Sequence, residues 1–99
     1  MHSRTDTGDE TILRIEGTLD AATAPDVRTV IDAIVNEGRV SVTLELSSLC
    51  LIDGMGIGMI ISLFKRIRAN GGQVKLQGLR DQPRAIFRVL RLDRVFPST

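Results

Sequence analysis

The segment Val40-Ser41-Val42-Thr43-Leu44-Glu45-Leu46 alternates apolar and polar residues at period two, and it runs through Leu49-Cys50-Leu51-Ile52 into Asp53-Gly54-Met55-Gly56-Ile57-Gly58. Successive side chains of a strand point to opposite faces, so Val40, Val42, Leu44 and Leu46 form the core face of a strand, with Ser41, Thr43 and Glu45 on the other. The period then changes. Ile57, Ile60, Ile61, Phe64 and Ile67 recur at helical spacing, predicting a helix that runs through about Ala69 with these residues as its core stripe. A strand that feeds a helix through an aspartate and a tight glycine turn restricts the chain to folds in which helices pack back on a sheet. Cys50, the only cysteine, sits inside the apolar run and is expected to be a buried, inert thiol.

The same alternation of elements extends to both sides. Met1 to Asp9 is polar, a frayed end or an edge strand, and Thr11-Ile12-Leu13-Arg14-Ile15-Glu16 predicts a strand ended by Gly17. Thr23, Pro25 and Asp26 form a helix start, with Thr23 as the capping residue. Ala24, Val27, Val30, Ile31, Ile34 and Val35 then make one apolar face up to Gly38. Gly71-Gly72 stops the next helix, Gln73 to Gln77 returns as a strand, and Pro83 is expected to start a last helix carrying Ile86, Phe87, Val89 and Leu90. Ninety-nine residues make one small domain, 1–99, without a linker or repeat.

A net charge of +1 gives no drive toward nucleic acid or an anionic membrane, so no direct nucleic-acid partner is expected, and no segment approaches the roughly 18 apolar residues needed to cross a bilayer, so no membrane insertion is expected. The N-terminus lacks a signal-peptide core, and a lone cysteine fits a reducing compartment, giving a cytoplasmic expectation. The charges are unevenly spread. From Lys65 onward Lys65, Arg66, Arg68, Lys75, Arg80, Arg84, Arg88, Arg91 and Arg94 face only Asp81 and Asp93. Solvated helix faces account for this; a basic surface for an acidic partner is the sharper reading.

Little in the sequence supports enzyme chemistry. His2 is the sole histidine, so neither a Ser-His or Cys-His nucleophile pair nor a histidine zinc site is available, and no catalytic residue, metal or cofactor is assigned. Asp20 and Asp53 could act as paired carboxylates, but the stronger reading is that each caps a helix or fixes a turn. Gly54, Gly56 and Gly58 match a dinucleotide-binding loop poorly, because the later glycine and the following acidic residue are missing. They are expected instead to allow close helix–sheet approach and unusual turn angles. Met55 and Met59 lie beside the core stripe, as more core or as adaptable contact surface for a partner.

Four stretches in order, Gly17-Thr18-Leu19-Asp20-Ala21-Ala22-Thr23-Ala24-Pro25, Leu44 to Gly58, Gly71-Gly72-Gln73-Val74-Lys75-Leu76 and Ile86 to Phe96, resemble the landmarks of a STAS domain, the fold of bacterial anti-sigma-factor antagonists. The resemblance covers the chain from about Thr11 onward. It implies an α/β fold with a small mixed β-sheet of four to five strands and helices packed mainly on one face, and it brings Asp20 near Asp53. In that family the loop typically reads Asp-Ser-Ser-Gly or Asp-Ser-Thr-Gly, and the residue after the aspartate accepts a phosphate from a partner kinase. Here that position is Gly54, followed by Met55, so no phospho-acceptor stands there. The resemblance implies a protein-binding surface of Asp20, Asp53, Gly54, Met55, Gly56 and Met59 for an anti-sigma factor with a kinase-like ATP-binding domain, other STAS proteins being further candidate partners. A STAS subunit of a membrane transporter complex that binds an ATPase subunit is the alternative; a small ligand-binding protein or enzyme using the Asp20 and Asp53 loops is the third.

Overall fold

The computed structural model describes residues 1–96. Gly8, at φ +59°, turns β1 (His2–Thr7) back on β2 (Glu10–Ile15) as an antiparallel pair. A short strand β3 (Gly17–Leu19) follows, then helix α1 (Ala24–Asn36) and strand β4 (Ser41–Glu45), which lies parallel to β2. Strand β5 (Leu49–Ile52) leads into helix α2 (Gly54–Ala69), strand β6 (Gln73–Gln77) lies parallel to β4, and helix α3 (Asp81–Val89) with a 3-10 turn (Leu92–Arg94) completes the described chain. The main sheet has the order β1-β2-β4-β6; β3 and β5 form a separate parallel pair.

Register explains why one face of the main sheet is dry. Leu13, Leu44 and Leu76 are aligned across β2, β4 and β6, as are Thr11, Val42 and Val74, and all six are buried. Thr11 tolerates this because its hydroxyl accepts a hydrogen bond of 2.7 Å from Arg39 Nε. On the opposite face Ile12, Thr43 and Lys75 are aligned and only half-buried. Helices thus cover one face, as the fold reading expected.

The edge strand β1 carries Arg4 opposite Leu13, on the helix side. Its guanidinium reaches Glu37 at the end of α1 (2.7 Å) and Asp6 (3.1 Å). Inward-facing charge of this kind blunts an exposed edge.

Several sequence expectations are corrected. Val40 lies outside β4 and is 41% exposed, because β4 starts at Ser41. The core side of α2 is turned from the expected stripe: Met59 and Leu63 are buried with Ile57, Ile60 and Ile67, whereas Ile61 and Phe64 are only partly so. Helix α3 begins at Asp81, two residues before Pro83, and Val89 and Leu90 point to solvent instead of the core. Cys50 is exposed, since β5 buries only its end residues Leu49 and Ile52. The strand β3 and its pairing with β5 were not foreseen, because Gly17 reads as a stop; at φ +81° it instead redirects the chain into a new short strand.

Candidate functional site

The β3–β5 ladder brings the two aspartate loops together. Leu19 and Ile52 are register partners of parallel strands, so Asp20 and Asp53, which follow them, leave the same end of the ladder side by side. The Asp53 N–H donates to the Leu19 carbonyl at 3.2 Å, tying the loops directly.

Each aspartate organises its own loop. Asp53 is extended and is the N-cap of α2; its Oδ1 accepts the Gly56 N–H at 3.0 Å, while its carbonyl accepts the Ile57 N–H at 2.9 Å. Asp20 Oδ1 accepts the N–H groups of Ala22 and Thr23 at 2.9 and 3.1 Å, and its carbonyl takes the Ala24 N–H that opens α1. Thr23 therefore does not cap α1 through its side chain. Its hydroxyl donates to the Thr18 carbonyl at 2.8 Å and accepts the Asp20 N–H at 3.0 Å, stitching the loop to β3.

The three glycines of the junction have different reasons to be there. A Cβ on Gly56 would lie 2.6 Å from the Leu19 carbonyl oxygen and 2.8 Å from Ile52 Cγ1, so Gly56 is what lets α2 seat against the ladder. Gly54 and Gly58 have nothing within 4 Å of an added Cβ. None of the three has positive φ, so the expected tight glycine turn is absent and the helix begins directly at Gly54.

Met55 is 55% exposed and Leu51 52%, whereas Met59 is 5% exposed. The methionine pair read from the sequence is thus divided: Met55 stands out at the first turn of α2, and Met59 packs into the core. Met55 also borders a shallow apolar cleft of about 220 Å³ against Ala21, Ala24 and Pro25 at the start of α1. A wider cleft of about 360 Å³ between α1 and α2 runs from Gly54 and Met55 past Gly58 to Ser62, edged by an Arg66–Asp32 ion pair of 2.7 Å. The exposed surface around the junction is therefore Asp53, Gly54 and Met55 flanked by Ala21 and Pro25, with Gly56 and Met59 beneath it.

Sequence reasoning missed Gln82. From α3 its Oε1 accepts the Ile52 N–H and its Nε2 donates to the Ile52 carbonyl, both at 3.0 Å, so a side-chain amide stands where another strand would pair with β5. This fixes the residue just before Asp53. Among the described residues no group of His, Cys, Asp and Glu is arranged to hold a metal ion, and no helix is long and apolar enough to cross a membrane.

The chain as a whole is similar to known proteins. The STAS domain family model matches residues 2–99. The chain belongs to the STAS family. Among relatives of this STAS domain, the anti-sigma-B factor antagonist of Listeria monocytogenes is 25% identical over 81 residues, covering 82% of this chain and 71% of that protein. The crystal structure of an anti-sigma factor antagonist from Mycobacterium paratuberculosis superposes with a TM-score of 0.89 at 18% identity, covering 99% of this chain and 83% of that one. The Bacillus cell fate determinant SpoIIAA in its phosphorylated form superposes with a TM-score of 0.80 at 19% identity, covering all of this chain and 91% of that one. These last two likenesses establish the shared fold.

Proposed function

We propose that this STAS domain is an anti-sigma-factor antagonist that docks an anti-sigma factor with a kinase-like ATP-binding domain through the β5–α2 junction, and that Gly54 frees this contact from control by phosphorylation. The observation that carries the reading is Gly54 itself: it is the exposed first residue of α2, directly after the capping Asp53, at the position that the family's Asp-Ser loop gives to its phospho-acceptor. The space around it is open, so nothing in the packing demands glycine there. Met55 supplies an adaptable apolar contact beside it. The relative described as an anti-sigma-B factor antagonist and the relative solved in a phosphorylated form support the partner class and the switch that this chain lacks.

A phosphate at this helix start would add about −1.5 to −2 charges to an apolar contact and oppose docking. Without a hydroxyl at residue 54 the domain stays binding-competent while its partner's kinase is active. Two variants test this with a purified ATP-binding anti-sigma factor of the source organism. Met55→Asp is expected to weaken the complex by about tenfold or more with an unchanged melting temperature. Gly54→Ser is expected to fold normally, to bind, and to become phosphorylated at Ser in the presence of ATP, after which binding falls. Full affinity in Met55→Asp removes this surface from consideration, and a Gly54→Ser variant that binds but is never phosphorylated removes the lost-switch reading. The transporter-subunit alternative predicts instead that only an ATPase subunit of a membrane complex binds, with the same Met55 dependence.

A further inference from the structure

Away from the junction, three aromatic rings draw Phe96, the last described residue, onto α2 and α3. Phe64 and Phe96 meet edge-on with centroids 4.6 Å apart, and Phe87 lies 6.2 Å from Phe96. Arginines surround this cluster. Arg68 lies over the Phe64 ring at 5.6 Å, and Arg84 and Arg88, one helical turn apart on α3, border a cleft of about 430 Å³ whose floor is Leu79, Phe87 and Phe96. All three arginines are exposed, and none is in an ion pair among the described residues. Among the described residues Asp93 is the one carboxylate on the cleft wall. Beside it Val89, Leu90 and Val95 are exposed, Val89 at 77%.

We infer that this face of α3 and the 3-10 turn is a second interaction surface, and that its occupant is an acidic, amphipathic protein segment. Charge complementarity sets the sign: guanidiniums with no carboxylate partner among the described residues border the cleft and are open to bidentate Arg–carboxylate pairing. The exposed Val89, Leu90 and Val95 set the second requirement, apolar side chains between the acidic ones. Nucleic acid fits less well, because single-strand binding relies on aromatic faces open for stacking and the rings here are packed on one another. A bilayer fits less well because α3, nine residues long, and its C-cap present only Val89 and Leu90 as exposed large apolar side chains, too little apolar surface for an interfacial anchor. This surface is separate from the β5–α2 junction and does not depend on its proposed role.

The test uses a fluorescein-labelled synthetic peptide carrying Glu and Leu at helical spacing, titrated with the whole chain and followed by anisotropy. Saturable binding is expected, weakening as salt rises from about 0.05 to about 0.3 M, and weakening about tenfold or more when Ser replaces Leu in the peptide. Arg84→Glu/Arg88→Glu should lose binding by a similar factor, Arg84→Gln/Arg88→Gln by less, and Met55→Asp should bind like the parent. Amide chemical-shift changes should centre on Gly78, Arg84, Arg88 and Phe96, leaving Asp20 and Asp53 unmoved. No saturable binding, indifference to the arginine changes, shifts centred on the junction, or tighter binding to phosphatidylglycerol vesicles or a single-stranded DNA oligonucleotide would overturn the proposal.

Discussion

At the scale of single residues, glycine is the informative type here, because identical residues in one helix turn answer to different constraints. A methyl group on Gly56 would meet Leu19 and Ile52 at 2.6 to 2.8 Å, and overpacking at such contacts costs about 1–3 kcal/mol. Gly58 has open space and no positive φ, so alanine there removes backbone freedom from the unfolded chain and gains about 0.5–1 kcal/mol. Gly56→Ala is therefore expected to lower the melting temperature and Gly58→Ala to raise it, readable by thermal denaturation; equal effects would show that α2 does not seat on the ladder through Gly56. The sequence made the glycines conspicuous and made Asp53 legible as a cap, since a cap and the helix it starts are local. It could not sort the glycines, because what Gly56 touches comes from β3, far away in the chain. Met59 misled for the same reason. Helical spacing places it beside Met55, and only the packing of α2 against α1 and the sheet decides which of the two is covered.

At the scale of elements, the site is built by pieces too short to announce themselves. Strands β3 and β5 have three and four residues, below the length at which periodicity separates a strand from a connection, yet their pairing places Asp20 beside Asp53. The longer elements β2, β4, β6, α1 and α2 were legible because each repeats its period several times. Helix α3 was legible in its existence but not in its docking, which rests on the Gln82 amide bridging both backbone groups of Ile52. Replacing Gln82 by Ala strips two hydrogen bonds, each with a net value of about 0.5–1.5 kcal/mol, at the residue that leads into the Asp53 cap. Hydrogen exchange should then speed at Ile52 and Gly56 before it does at Leu44, and a uniform change across the chain would argue against Gln82 as a local clamp. At the other end of α3, Arg91 takes a left-handed conformation at φ +59° just past the cap residue Leu90. Glycine is the residue suited to that place, so Arg91→Gly is expected to stabilise the fold by up to about 1 kcal/mol, measured by denaturant melts.

At the scale of the whole molecule, the net charge of +1 conceals carboxylates that fasten the sheet to its surroundings. Arg4 holds Asp6 and Glu37 below their ordinary values of 3.8 and 4.5, its hydrogen bonds being the main cause in each case. Glu45 at the end of β4 is also held below 4.5, first by the Ser47 hydroxyl, then by the Ser47 backbone N–H and the charge of Arg14, against partial burial. The sign follows from linkage: the folded state binds these protons more weakly than the unfolded chain does, so the stabilisation is full above the ordinary values and is lost as pH falls through them and on through the depressed ones. The Arg4 pairs are solvent-exposed at their carboxylate ends, and salt screens such pairs strongly. Glu45 is less exposed and accepts the Ser47 N–H at 2.9 Å within the β4–β5 connection, so its share is local hydrogen bonding that salt does not remove. Melting temperatures measured from about pH 7 to about pH 3 should therefore fall on the acid side, and a flatter acid limb is expected in Glu45→Gln, at low salt and at about 0.5 M salt alike. Arg4→Ala should flatten the limb at low salt only. An acid limb that Glu45→Gln leaves unchanged would mean that the connection between β4 and β5, and with it the approach to the β5–α2 junction, is held without the Glu45 carboxylate, by packing and by backbone bonds such as Leu46 N–H to the Gln77 carbonyl.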